Sequence, residues 1–159
     1  TNVGVVLQAY LRRTKSDVDT LLTEGAAERV ATNVRLCKGI YMEREEIAFL
    51  GRKQIQDNYL ACLETLLASR AYVGIATHDD VLIDGAKRLL EKYDVNRQAF
   101  EFQMLLGVRE SVRDALIREG FRLRVYVPFG HDWYGYSMRR LKENPKMAGY
   151  IAKALFTGK

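Results

Sequence analysis

Short apolar segments rich in β-branched and aromatic residues recur along this chain, each followed by a stretch whose apolar residues return at helical spacing. Residues 3–9, 34–38, 72–77, 100–105 and 122–127 read as strands, and no Pro/Gly/Ser linker divides them. Nearly all-apolar strands alternating with helices predict a parallel sheet with helices on its faces, because right-handed crossovers place them there. The first helix is expected from Ser16, where Ser-x-x-Asp and early acids suit an N-terminus. A second should run from Glu43 to about Ser69, with Ile47, Leu50, Ile55, Tyr59, Leu63 and Leu67 on its apolar face. Others are expected from Asp80 to Tyr93, from Val108 to Glu119 with Gly120 as stop, from Asp132 to Asn144 before Pro145, and from Lys146 to Phe156.

Two architectures satisfy this alternation. An open doubly wound sheet would advertise a Gly-rich phosphate loop after an early strand, and neither GxGxxG nor GxxxxGK is present. A β/α barrel instead distributes its site over many strand ends. The strand ends here carry Gln8, Arg35 with Lys38, Thr77 with His78, Gln103 and Tyr126, so the expected fold is a parallel, TIM-like β/α barrel. About five strand-helix units fall short of the roughly eight needed for closure, which makes the barrel incomplete. Thr1 opens directly on a strand pattern without a start methionine, so the chain reads as the later portion of a longer polypeptide, and its 159 residues as a single domain.

Alternation puts Arg35, Cys37 and Gly39 on one side of their strand and Leu36 and Lys38 on the other. An arginine inside a strand needs a partner, either a structural acid or a ligand. At the strand end, Gly39 would let backbone approach a bulky anion while Lys38 adds a point charge. Thr77-His78-Asp79-Asp80 stands at a strand-to-helix joint. There Thr77 or an aspartate could cap the helix with His78 on the surface, or Thr77 and His78 could offer donors to a phosphate. Further on, Tyr136, Arg139, Arg140 and Glu143 share one helix side. An Arg139-Glu143 pair on a wet surface is one reading; the other is an arginine clamp on a small carboxylate, with tyrosines covering its apolar part.

Taken together, Val6-Leu7-Gln8-Ala9-Tyr10, Arg35-Leu36-Cys37-Lys38-Gly39-Ile40-Tyr41, Ala76-Thr77-His78, Phe100-Glu101-Phe102-Gln103-Met104-Leu105, Arg124-Val125-Tyr126-Val127-Pro128 and the run from Tyr136 to Asn144 resemble the proline dehydrogenase family. The resemblance extends over essentially the whole chain. It implies a flavin-dependent β/α barrel that oxidises L-proline to Δ1-pyrroline-5-carboxylate by hydride transfer to N5 of FAD. It implies FAD held by Gln8, Lys38, Gly39, Ile40, Thr77, His78 and Gln103, with Glu143 supporting. Arg35 would be the catalytic cation beside the flavin. Arg139 and Arg140 would bind the proline carboxylate, with Tyr126, Tyr136 and Leu105 walling the ring. A quinone-type electron acceptor and the remaining barrel strands, in cis or trans, are the implied partners. The family's substrate-binding lysine and an active-site aspartate belong to earlier strands that this chain does not match, and Cys37 and Ile40 depart from the usual motif residues.

Other classes fit less well. Lys and Arg number 25 against 20 Asp and Glu, a net charge of +5, but the basic residues sit beside acidic ones and no RNA-reading strand face is present. Cys37 and Cys62 show no metal spacing, no metal site is expected, and a reducing compartment suits them. No apolar run approaches the roughly 18 residues of a membrane span, so the expected location is cytoplasmic or peripheral at a membrane. A catalytically silent flavin- or anion-binding module that needs a partner chain is the competing reading.

Overall fold

The computed structural model describes residues 3–41, 43–127 and 129–131. Their order is β1 (Val5–Gln8), α1 (Thr14–Ala27), β2 (Asn33–Cys37), α2 (Arg52–Ala68), β3 (Tyr72–Ala76), α3 (Asp80–Lys92), β4 (Phe100–Leu105), α4 (Glu110–Arg118) and β5 (Leu123–Tyr126). Every neighbouring pair of strands is parallel, and the spatial order is the chain order, β1-β2-β3-β4-β5. A doubly wound sheet reverses direction at a switch point; this one never does. Each right-handed crossover therefore returns its helix to the same face, and α1 packs beside α2 and α2 beside α3 in one layer. The result is an arc of a β/α barrel, with helices outside and one strand face turned inward.

The outer strand face carries the core. Leu7, Leu36, Ile75, Phe102 and Leu123 form one row across the register, and Val34, Leu36, Val73, Ile75 and Phe102 are fully buried. Against them stand Tyr59, Leu63 and Leu66 of α2, Leu82 and Ala86 of α3, and Leu116 of α4. Tyr59 keeps its hydroxyl satisfied there by donating to the Leu36 carbonyl at 3.1 Å. Phe100, Phe102 and Phe121 meet edge-on or tilted, with ring centroids 5.2 to 6.2 Å apart.

The helix boundaries differ from expectation in three places, one of them α4, which begins at Glu110 and not at Val108 because Arg109 before it is in the left-handed region at φ 52°. α1 begins at Thr14 and not at Ser16, because a tight turn leaves β1 at once: Leu11 N–H donates to Gln8 O and Thr14 N–H to Leu11 O. Ser16 is already inside the helix, and its hydroxyl donates back to Arg13 O at 2.8 Å. α2 begins at Arg52, after Gly51, whose N–H is taken by the Gln54 side chain. Residues 44–51 have the apolar spacing of a helix but pair with the loop after β1 instead, through Phe49 N–H to Tyr10 O, Arg12 N–H to Ile47 O and a Leu11/Ala48 bridge. Ile47 and Leu50 are accordingly exposed. The helices expected over 132–144 and 146–156 lie outside the described residues.

Phe102 anchors the outer row, so Phe102→Ala should destabilise the protein by about 3–5 kcal/mol in urea unfolding, whereas the exposed Ile117→Ala should cost well under about 1 kcal/mol.

Candidate active site

The same alternation that buries Leu36 turns Arg35 and Cys37 inward. Register then assembles the inner face in rows. Val6, Arg35, Gly74 and Glu101 stand side by side, and one step toward the C-terminal ends come Gln8, Cys37, Ala76, Gln103 and Arg124. Leu105 and Tyr126 pair at the last step. Across these rows runs one polar chain. Arg35 Nε donates to Gln103 Oε1 at 2.8 Å, Gln103 Nε2 donates to Glu101 Oε1 at 2.8 Å, and Arg124 holds both Glu101 oxygens from Nε and an NH2, at 2.6 and 3.2 Å. Gly74 makes the crossing possible: a Cβ there would stand 2.5 Å from Gln103 Nε2. Burial pushes the Glu101 carboxyl up, but Arg124, Gln103 and Tyr72 outweigh it and hold it below the usual glutamate range. Two guanidinium groups against one carboxylate leave the inner face cationic.

The loops at the C-terminal ends of the strands are knit to one another. Asp79, buried, caps α3 by accepting from Val81 N–H, and its carboxylate also receives Lys38 Nζ at 3.1 Å, Arg52 at 3.3 Å and Gln56 at 3.0 Å. Burial alone would raise its pKa; those partners bring it below the usual aspartate range. His78 Nε2 accepts from Leu105 N–H at 2.9 Å, so the neutral ring carries its hydrogen on Nδ1. Burial first, then Arg109 and Lys38, push the imidazole pKa down to about 4. Arg109, in the left-handed region at φ 52°, is fixed by its donation to His78 O and its ion pair with Asp80.

Placement therefore divides the residues singled out in sequence. Gln8, Arg35, Gln103, Leu105 and Tyr126 share the inner face, and Thr77, His78, Lys38, Gly39 and Ile40 belong to the loops at its rim. Several detailed expectations change. Lys38 is not a lone point charge, since its ammonium is paired with Asp79. The Cβ position of Gly39 is filled by the Tyr10 ring, so packing by that ring, together with a φ of +87°, demands glycine there. Thr77 is buried and its hydroxyl accepts from Asp79 N–H, while the α3 N-terminus is capped by Asp79; His78 is partly buried and bonded, not a surface residue. Cys37 is half-buried, and burial pushes its thiol pKa up. Tyr136, Arg139, Arg140 and Glu143 lie outside the described residues. Sequence reasoning assigned no task to Gly74, Glu101 or Arg124, and considered Asp79 only among the candidate caps of the helix, the part it plays. For Glu101 and Arg124 the signal was present: each falls on the polar phase of its strand.

A family model for proline dehydrogenase matches residues 1–153. The chain belongs to the proline dehydrogenase family. It is 41% identical to proline dehydrogenase 2 of Bacillus subtilis over 97% of this chain and 49% of that protein. With the Deinococcus radiodurans proline dehydrogenase it shares 36% identity over 99% of this chain and 49% of the relative. The chain thus spans about half the length of the curated relatives it matches. Among solved structures, proline utilization A from Bdellovibrio bacteriovorus, inactivated by N-propargylglycine, superposes with a TM-score of 0.81 at 30% identity, over 89% of this chain and 16% of that one. Proline utilization A of Bradyrhizobium japonicum, as its D778Y mutant, gives 0.79 at 28% identity over 95% of this chain and 17% of that one. The incomplete TIM-like barrel expected from sequence is the fold observed.

The His78 contact carries a pH dependence of defined sign. Its folded pKa, about 4, lies below the roughly 6.5 of an unfolded histidine, so the unfolded chain binds the extra proton first. Stability should fall as pH drops from about 6.5 toward 4, and Asp79 and Glu101 add their losses only below about 4.5, the ordinary carboxylate range. Urea midpoints measured against pH should show this slope between about pH 6.5 and 5 reduced in His78→Ala, which should also be less stable than the parent at about pH 7.

Proposed function

We propose that this chain supplies the flavin- and proline-binding strand ends of a proline dehydrogenase that oxidises L-proline to Δ1-pyrroline-5-carboxylate. The observation that carries this reading is the cationic polar chain Arg35–Gln103–Glu101–Arg124 on the inner sheet face, beside Leu105 and Tyr126 at the strand ends. The donor set suits FAD: guanidinium charge in excess, amides on Gln8 and Gln103, and loop residues Lys38, Gly39, Ile40, Thr77 and His78 along the rim, with Glu143 in support. When bound, the flavin supplies the hydride acceptor at N5.

Within that site the protein's task is positioning and electrostatics. Arg35, held at Nε by Gln103, presents its remaining donors and a fixed positive charge where negative charge accumulates. Leu105 and Tyr126, opposite each other in register, offer an apolar and an amphipathic wall to a small ring, and Tyr136 would complete it. Arg139 and Arg140 clamp the carboxylate in planar, bidentate fashion and so fix which carbon faces the acceptor. The strands that complete the barrel, in cis or trans, close the site against water. A quinone-type acceptor takes the electrons away, with the protein cytoplasmic or peripheral at a membrane. Among the described residues no helix is long and apolar enough to cross one.

The test uses a protein in which this chain is joined by the strands completing the barrel. It should purify with flavin absorbance and reduce a dye on addition of L-proline; absence of either result overturns the reading. Arg140→Lys keeps the charge but loses the fork, which at about 1.5–3 kcal/mol per charge-assisted bond should lower kcat/KM for proline roughly ten- to 150-fold, with flavin content unchanged. Arg35→Met should instead slow proline-driven flavin reduction itself in stopped-flow traces.

A further inference from the structure

Glu101 shares the inner face with Gln103, two residues on along β4, and its side chain is only 6% exposed. Its oxygens accept from Gln103 Nε2 and from Arg124, and the Tyr72 hydroxyl also meets it. An ionised carboxylate has no hydrogen to give, so whatever lies against it must present a donor. Gln103 can do so with only one end of its amide, the nitrogen. The oxygen of the same amide is then turned the other way, over Gly74, where it receives Arg35 Nε at 2.8 Å. The reverse orientation would set the amide nitrogen against the Arg35 Nε–H and the amide oxygen against the carboxylate, leaving donor facing donor and acceptor facing acceptor. The direction of every bond in the chain is thus dictated by the charge at its two ends.

We propose that Glu101 is a positioning residue for the oxidation reaction: by taking Gln103 Nε2 it turns the amide oxygen onto Arg35 and so holds that guanidinium in one orientation at the flavin edge. The proposal rests on the function proposed above, through the task given there to Arg35. Arg124 closes the far end and keeps the carboxylate ionised, and Gly74 keeps the path across β3 clear.

Glu101→Met and Glu101→Gln separate the acceptor from the bulk that carries it. Gln103 Nε2 and Arg124 Nε donate to the same carboxylate oxygen, Oε1. In E101Q the amide oxygen takes that position and accepts from both, so the chain keeps its direction; E101M offers no acceptor, and Gln103 is free to turn its oxygen away from Arg35. In the complete-barrel protein, E101M should stay folded and flavin-loaded, with kcat for proline reduced about tenfold or more and KM changed much less. Its Arg35 Nε–H resonance, assigned in 15N spectra by its loss in R35K, should lose the protection from exchange it has in the parent. The conservative E101Q should keep both readouts within about threefold of the parent, a separation that a merely space-filling Glu101 would not predict. E101M with kcat within about twofold of the parent and a protected Arg35 Nε–H overturns the proposal, as does an E101Q that loses both as fully as E101M. If E101M does not fold, Gly74→Ala, whose Cβ would stand 2.5 Å from Gln103 Nε2 and displace that amide, decides on the same two readouts. A parent without flavin or turnover would bring down the proposed function, whereas the Nε–H resonance, which needs neither, still decides the orientation claim.

Discussion

A parallel sheet whose strands follow in chain order can be covered by its own crossovers on one face only, and the rest of this molecule follows from that constraint. The outer face is packed by α1 to α4 and is apolar along the whole of its central row: Leu7, Leu36, Ile75, Phe102 and Leu123. Among the described residues the inner face has no crossover helix to meet. It is free to carry Arg35, Glu101, Gln103 and Arg124 in adjacent register, which a sheet covered on both sides could hold only at a large desolvation cost. Chemistry and core are thus separated by the pleat alone.

Charges buried at the edge of such a structure persist because each is over-provided with partners. Glu101 and Asp79 are both nearly inaccessible, and each is met by at least one cation and one amide: Arg124 and Gln103 for the first, Lys38, Arg52 and Gln56 for the second. In each case burial works against ionisation and the partners prevail. Taking away one partner of such a group leaves the charge uncompensated, which makes these clusters rigid points. Asp79 is the larger hub. It ties the end of β2 and the first turn of α2 to the N-terminus of α3, while His78 and Arg109 tie that joint to the end of β4 and the start of α4. Loops that would otherwise move independently are held in common, as a site assembled from separate strand ends requires.

The strand-helix alternation, the parallel pairing, the barrel-like distribution of polar strand ends and the family itself were all legible in the residues. Hydrophobic period and strand-end chemistry are local properties, which is why they read correctly. Less legible were boundaries and assignments that depend on a neighbour. Residues 44–51 have helical apolar spacing, yet Tyr10, Leu11 and Arg12 compete for their backbone groups and win. Gly39 read as a place where backbone could approach a ligand, and a second reason for glycine came from the loop after β1, whose Tyr10 ring fills the space of its Cβ. Lys38 looked like a free charge, but its counter-ion lies on the next unit of the barrel.

What the sequence determined by itself is the alternating phase of each strand: Arg35 must oppose Leu36, Glu101 and Gln103 must oppose Phe100 and Phe102, and Arg124 must oppose Leu123, because successive side chains leave a strand on opposite faces. What only the tertiary structure decided is the register between strands. Register set Gly74 between Arg35 and Glu101, brought Gln103 across it, and so converted polar residues from separate strands into one directed chain of hydrogen bonds. No local rule contains that information, since the offset between neighbouring strands is settled by how the outer rows of Leu36, Ile75 and Phe102 interlock with the helices above them.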